Sequence, residues 1–161
     1  MSLRETLLKM EETERPSKQE IQKQLVEWRE VAIPGLYRSV RDMLSDLIAD
    51  GLVTVNPSRT ERRNEELTGP YDIEVMDLAI RGHTITLNPV ALFAVGSIGR
   101  AELFARGRLD RRFILLRLKD KSGKDRWFIF PESEGPKLPL TSLPELSRKT
   151  LEDMIEKLLL P

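Results

Sequence analysis

Cysteine is absent from this sequence and histidine occurs once, so several kinds of chemistry are excluded from the start. Without cysteine the chain has no disulfide, no thiolate nucleophile and no cysteine zinc site, as is usual for a cytosolic protein. Because His83 stands alone, it offers neither a multi-histidine metal site nor a catalytic dyad or triad that can be assigned. We therefore expect a non-enzymatic protein with no metal and no cofactor.

Long apolar runs are missing as well. No segment approaches the roughly 20 apolar residues of a membrane helix, and charges interrupt the N-terminal MSLRETLLKMEETERP where a signal peptide would be apolar. The composition, with 40% hydrophobic and 32% charged residues among 161, is that of a soluble globular protein. We expect a single cytoplasmic domain that does not associate with membranes.

The N-terminal third shows the periodicity of amphipathic helices. Capping-box patterns begin at Ser2 and at Ser17, and apolar residues recur every three or four positions in 21–32 and again in 36–48. Proline and glycine interrupt helical periodicity, so the IPG sequence at 33–35 is predicted to separate these two helices.

The middle of the chain changes to the two-residue period of β-strands. YDIEVMDLAI and HTITLNP flank Arg81 and Gly82, which form a plausible two-residue hairpin turn with Ile80 opposite His83. VALFAV and RAELFA are two further strands, separated by GSIG at 96–99. Because a strand rather than a helix follows these glycines, we interpret them as a bend between strands and not as a phosphate-binding loop.

RFILLRLK and RWFIFP form the clearest hairpin. A three-residue loop at 121–123 sets Lys119 opposite Asp125, whereas a two-residue loop would bring like charges together. Both faces of this hairpin are apolar, so we expect it to be a central and covered part of the sheet. The segment 56–70, which comes before YDIEVMDLAI, has one leucine in fifteen residues and is predicted to be a mobile loop.

These elements together predict an α+β fold. N-terminal amphipathic helices and a C-terminal helix pack on a mainly antiparallel sheet of about five to seven strands. We expect one α+β domain over 1–161, with a helical part at 1–51 and a sheet part at 52–131 that includes the mobile loop 56–70. A proline-rich connector and the C-terminal helix occupy 132–161.

Charge is balanced over the whole chain but unevenly distributed. Between Arg100 and Arg126 there are ten lysines and arginines but four acids, so the rest of the chain is acidic. Guanidinium forks suit carboxylate and phosphate groups, and Trp127 opposite Arg117 suggests a cation–π pair. We predict a binding or adaptor protein whose basic sheet rim takes an acidic partner protein or an anionic ligand. The residues predicted to form this rim and bind the partner are Arg100, Arg106, Arg108, Arg111, Arg112, Arg117 and Trp127.

A nucleic-acid-binding protein is the alternative. Three helices, a short strand, an arginine-bearing loop and another strand follow one another in 2–80, which is the order of a winged helix-turn-helix. The acids around this region oppose that interpretation, because phosphate contacts dominate DNA affinity. Its candidate residues are Arg38, Arg41, Arg59, Arg62 and Arg63. The sequence leaves the partner's identity and a homo-oligomeric state open.

Overall fold

A computed structural model describes residues 2–14, 17–94, 96–134 and 143–161. The helices are α1 (Leu3–Glu14), α2 (Lys18–Glu27), α3 (Ile33–Met43), α4 (Ser45–Ala49) and α5 (Arg148–Leu159), and a π-helical turn, Trp28–Ala32, joins α2 to α3. The strands are β1 (Thr54–Val55), β2 (Arg59–Glu65), β3 (Gly69–Ile80), β4 (His83–Ala91), β5 (Arg100–Ala105), β6 (Arg108–Lys119) and β7 (Asp125–Pro131). None of the helices described is long and apolar enough to cross a membrane.

The strands form one seven-stranded antiparallel sheet. Its order is β1-β3-β4-β5-β6-β7, and β2 pairs with the N-terminal part of β3. The predicted α+β fold is therefore confirmed. Both predicted hairpin registers are also confirmed, because Ile80 lies opposite His83 and Lys119 lies opposite Asp125. Arg81 and Gly82 both have positive φ, as the tight turn between β3 and β4 requires.

The core lies between one face of the sheet and the helices. Trp28 and Leu36 from the helical region, Leu103 and Ile129 from the strands, and Leu158 from α5 are all at most 2% exposed. Burial of apolar side chains from both layers is the main force that holds helices on a sheet. α1 stands apart from this cluster, since its Leu3, Leu7, Leu8 and Met10 are exposed.

The predicted interruption at 33–35 is wrong. The helix continues through it, because the backbone widens into the π-helical turn just before Pro34. There the amide of Ile33 donates to the carbonyl of Trp28, five residues earlier. A proline in a regular α-helix clashes with the carbonyl four residues before it and lacks the donor for it. A wider turn removes both problems, so the chain remains helical from Lys18 to Met43.

The prediction of a mobile loop over 56–70 is also wrong, because residues 59–65 form β2. The segment is poor in apolar residues, but its arginines pair with carboxylates of β2 and β3. Arg62, for example, lies opposite Asp72 and their side chains are 3.1 Å apart. Opposite charges facing each other stabilise an antiparallel pair, and charged side chains are common on strands at a sheet edge.

The β6–β7 hairpin is covered on both faces, as predicted, but it is not central. β7 ends the sheet, and the chain after it returns to bond its free edge. The amide of Ile129 donates to the carbonyl of Pro144, and the amide of Leu146 donates to the carbonyl of Trp127. Leu143 packs with Ile114, Leu116 and Phe130 on the face away from the helices. Most of the proline-rich connector, residues 135–142, lies outside the described residues.

Candidate functional site

The structure separates the predicted rim residues instead of joining them in one patch. The alternation of side chains along each strand is the cause. Arg117 points to the helical side, where it is 3% exposed, while Arg112 lies five residues earlier on the other face. The rim therefore divides into separate groups of contacts, which differ in whether carboxylates balance the arginines.

Arg106 belongs to a cluster around the buried carboxylate of Asp77. Arg59 Nε donates to Asp77 Oδ2 at 2.7 Å, Thr86 Oγ1 donates to Oδ1 at 2.7 Å, and Arg106 Nη2 lies 3.4 Å from Oδ2. Burial alone would raise the pKa of Asp77, but the hydrogen bonds from Arg59 and Thr86 and the nearby guanidinium charges outweigh it and lower the pKa. The charge of Arg106 is thus partly balanced within the protein.

Arg100 and Arg112 form a second group around Glu102. Their guanidinium nitrogens lie 3.6 and 3.4 Å from its carboxylate oxygens. The guanidinium of Arg112 also lies 5.8 Å from the centre of the Phe104 ring, in cation–π geometry. Because one carboxylate serves two arginines, this group keeps a partial positive charge.

Arg108 and Arg111 differ from the other rim arginines in that, among the described residues, they bond to carbonyl oxygens and to no carboxylate. β6 has a bulge, since Phe104 pairs with Arg112 while the adjacent Ala105 pairs with Arg108. The bulge turns Arg108 and Arg111 toward the end of α5, where both donate to the carbonyl of Leu160 at 2.8 and 2.7 Å. Carbonyls at a helix C-terminus carry a partial negative charge, which stabilises these guanidinium groups without neutralising them.

An open cleft of about 890 Å³ lies beside this contact. We call it the basic cleft, and its lining residues are Asp110, Arg111, Arg112, Phe113, Pro131, Glu132, Ser133, Lys157 and Leu160. The cations come from β6 and α5, and Phe113, Pro131 and Leu160 supply apolar surface. Among the described residues, neither Arg111 nor Lys157 forms an ion pair with a carboxylate.

Lys157 was not among the residues that the sequence indicated. Its position in the last turn of α5 is a normal place for a lysine at a helix C-terminus. The sequence contains no signal that brings this turn against residues 110–113 of β6, because the contact joins parts of the chain more than forty residues apart.

Arg117 and Trp127 do not form the expected cation–π pair. Trp127 stacks on Trp28 instead, with ring centroids 6.2 Å apart and an interplanar angle of 30°. Arg117 donates to Asp125 at 2.8 Å and to Glu27. Both side chains are buried in the protein, so neither is exposed on the rim, and Arg117 instead lines a second pocket between α2 and β6.

The arginines of the nucleic-acid alternative fall into two groups. Arg38 and Arg41 are exposed on α3. Each of the three on β2 has a carboxylate partner, namely Asp77 and Glu61 for Arg59, Asp72 for Arg62, and Glu61 for Arg63. Because α2 runs into α3 without a turn, the helices do not have the helix-turn-helix arrangement that the element order suggested. Nucleic-acid binding itself stays a prediction.

Comparison with known proteins adds nothing to these observations: no family model, no curated protein and no solved structure matches this chain.

Proposed function

We propose that this chain is a non-enzymatic binding protein that recognises an acidic segment of a partner protein in the basic cleft. The observation that carries the proposal is the uncompensated charge at this place. Within the described part of the chain, the only hydrogen-bond acceptors of Arg108 and Arg111 are backbone carbonyls. The other rim arginines share carboxylates within the protein.

The hydrogen-bonding capacity of the cleft supports a carboxylate-bearing partner. Within the described part of the chain, Arg111 uses Nη1 for the carbonyls of Lys157 and Leu160, and its Nη2 and Nε have no partner. A guanidinium with two free N–H directions can take a carboxylate in bidentate geometry. Lys157 adds a second cation at the same wall of the cleft.

The cleft also contains features that select among acidic segments. Phe113, Pro131 and Leu160 offer contact to apolar side chains, and an open cleft suits an extended chain better than a small enclosed ligand. Asp110 and Glu132 line the same cleft and repel acids that lie beside them. We therefore expect a segment in which acidic and apolar residues are mixed, rather than a uniform polyanion.

A fluorescence-polarisation assay tests this proposal. The probe is a labelled extended peptide of alternating glutamate and leucine, measured at low and at physiological salt. We expect saturable binding that weakens as salt screens the exposed charges. Lys157 is exposed, and K157E replaces an attraction for the acidic peptide with a repulsion, so binding should weaken about tenfold, which corresponds to about 1.4 kcal/mol.

The matched control is K149E, which makes the same charge change on an exposed lysine in the first turn of α5. It should leave peptide binding unchanged. Equal weakening by K157E and K149E would mean that general charge and not the cleft attracts the peptide, and the proposal would then be wrong. If a DNA duplex binds in the same assay and the peptide does not, the nucleic-acid alternative replaces it.

A further inference from the structure

A second pocket, separate from the basic cleft, lies between α2, the β4–β5 connection and β6. It has a volume of about 360 Å³. We call it the helix–loop pocket, and it is lined by Gln24, Glu27, Leu92, Phe93, Ser97, Ile98, Arg117 and Lys119. A volume of this order is typical of small-molecule sites. If each water-sized group takes about 30 Å³, the pocket holds on the order of ten non-hydrogen atoms.

The walls of this pocket are held by specific bonds on both sides of the β4–β5 connection. The carboxylate of Glu65 on β2 accepts hydrogen bonds from the amides of Leu92 and Phe93, both at 2.9 Å. At the other end, the amide of Ile98 donates to the carbonyl of Arg117 at 3.0 Å. A wall held in this way is preformed, so little conformational entropy is lost when a ligand binds.

Gly99 shows how closely the connection lies on the helical layer. A Cβ at this position would be 2.2 Å from the Trp28 ring, so the approach requires glycine. Trp28 itself is fully buried at the start of the π-helical turn. π-Helical turns occur frequently at functional sites, and this one directly follows Glu27, a residue that lines the pocket.

The charged residues of the pocket are arranged around the buried guanidinium of Arg117. Its side chain is 4% exposed; its Nε donates to Asp125 and its Nη2 to Glu27. Lys119 Nζ also lies 3.6 Å from Glu27. The hydrogen bond from Arg117 lowers the pKa of Glu27 below its ordinary value, so this carboxylate is ionised at neutral pH.

Two cations and two carboxylates meet at or behind the pocket wall, so affinity for an anion must come from free N–H donors rather than from an excess of positive charge. Among the described residues that line the pocket, Glu27 is the one carboxylate, and it faces the two cations Arg117 and Lys119. Asp125 bonds to Arg117 from β7 and is not part of the wall. The remaining donor of Arg117, Nη1, makes a single long contact of 3.5 Å to the carbonyl of Ile98. A further carboxylate therefore has donors available to it.

We propose that the helix–loop pocket binds a small monocarboxylate with a compact apolar body. Its carboxylate is held by Lys119 and by Arg117 Nη1, and its apolar part contacts Leu92, Phe93 and Ile98. A dianion is disfavoured because Glu27 already occupies one side of the cations, and a ligand without a carboxylate leaves Arg117 Nη1 with only its long contact to Ile98.

Titration calorimetry with 3-phenylpropionate as the probe tests this site. We expect saturable binding with a Kd of about 1 mM or tighter. 3-Phenylpropionamide and 3-phenylpropylamine have the same apolar body without the negative charge, and both should bind at least about tenfold more weakly because the ion pair is lost. Equal binding of the amide, or no saturable binding of the acid, would overturn the proposal.

The variant K119Q should weaken binding of the acid about tenfold and leave the amide unchanged. Its matched control is K124Q, which removes an exposed lysine from the same hairpin outside the pocket wall. If K119Q binds the acid as the unaltered protein does, the charge assignment is wrong. The peptide assay for the basic cleft is run on the same variants, and K119Q should not affect it, so the two proposals can fail separately.

Discussion

Two arginine-rich strands of this protein have opposite electrostatic roles. On β2, carboxylates of β2 or β3 neutralise Arg59, Arg62 and Arg63. On β6, Arg108 and Arg111 bond to the carbonyl end of α5 and keep their charge. The comparison shows that a count of arginines along a sequence does not locate a cationic surface, because the partner of each guanidinium decides whether its charge is available.

The backbone explains the difference between the two strands. β2 pairs with β3 without interruption, so its side chains keep a fixed register in which Arg62 faces Asp72. Arg59 and Arg63 reach the carboxylates of Asp77 and Glu61. β6 is bulged between Arg108 and Arg112, and a bulge changes the direction of side chains. Arg111 lies within the bulge and Arg108 at its start, so both leave the sheet's own charge pattern and reach α5.

The largest expected effect is the loss of stability in D77A. Asp77 on β3 is the buried carboxylate next to β2, and its removal leaves Arg59 Nε and the Thr86 hydroxyl without their acceptor. Urea denaturation should show a decrease of about 2 kcal/mol in the free energy of unfolding, the usual cost of a buried polar group that loses its partner. D72A, which breaks the exposed pair with Arg62, is the control and should cost less than about 1 kcal/mol. Equal losses in both variants would contradict a special role for Asp77.

A smaller effect is expected for R111A on the β6 side. The substitution removes hydrogen bonds to the carbonyls of Lys157 and Leu160 and should cost about 1 kcal/mol. Hydrogen exchange should accelerate at the C-terminal amides of α5 and remain unchanged at Leu151 in its first half. Global loss of protection across the sheet would show that the arginine supports the core and does not simply fasten the helix end.

The dependence of stability on acid pH should distinguish the Asp77 cluster from the contact of Arg111 with α5. The folded pKa of Asp77 lies below its unfolded value, so its contribution is complete at pH values above the unfolded pKa of about 3.9 and is lost as the pH falls through the folded pKa. D77N should therefore flatten the acid side of the stability curve. R111A should keep the acid slope of the unaltered protein, because its partners are carbonyls that do not titrate. An acid slope that is the same in D77N as in the unaltered protein contradicts this assignment.

The smallest effect is expected for R62A. Both Arg62 and Asp72 are substantially exposed, and exposed pairs of this kind contribute about 0.2–1 kcal/mol. Thermal unfolding at low salt should show a small decrease in Tm that disappears at high salt. A decrease that persists at high salt would indicate that the aliphatic part of Arg62 packs on the strand and that the charge is secondary.

The parts of the fold that depend on near neighbours in the chain were predictable. The turn between β3 and β4 and the loop between β6 and β7 follow from local residue types and from charge pairs a few positions apart. The interruption at 33–35 was predicted wrongly because the effect of Pro34 depends on the width of the helical turn before it. The strand at 59–65 was missed because its apolar content is low and its stabilising partners lie on β3.

The candidate sites were predictable only as residue types. Arg111 and Arg112 were among the expected residues, and they do line the basic cleft. Lys157 and Glu27 were not, because each reaches its site through a contact with a distant part of the chain. Trp127 was expected on the rim, but it stacks on Trp28 in the core. This contact joins a strand residue to a helical residue ninety-nine positions away in the sequence.

By itself the sequence determined the α+β class, the antiparallel hairpins with their registers, and the uneven distribution of charge, because each depends on periodicity or on turn residues within a short window. Tertiary structure alone decided which arginines are neutralised, where Arg117 and Trp127 point, and that β6 and α5 meet at a cleft. These are long-range contacts, and the free energy of a charge depends on the groups that folding places around it rather than on its neighbours in the chain.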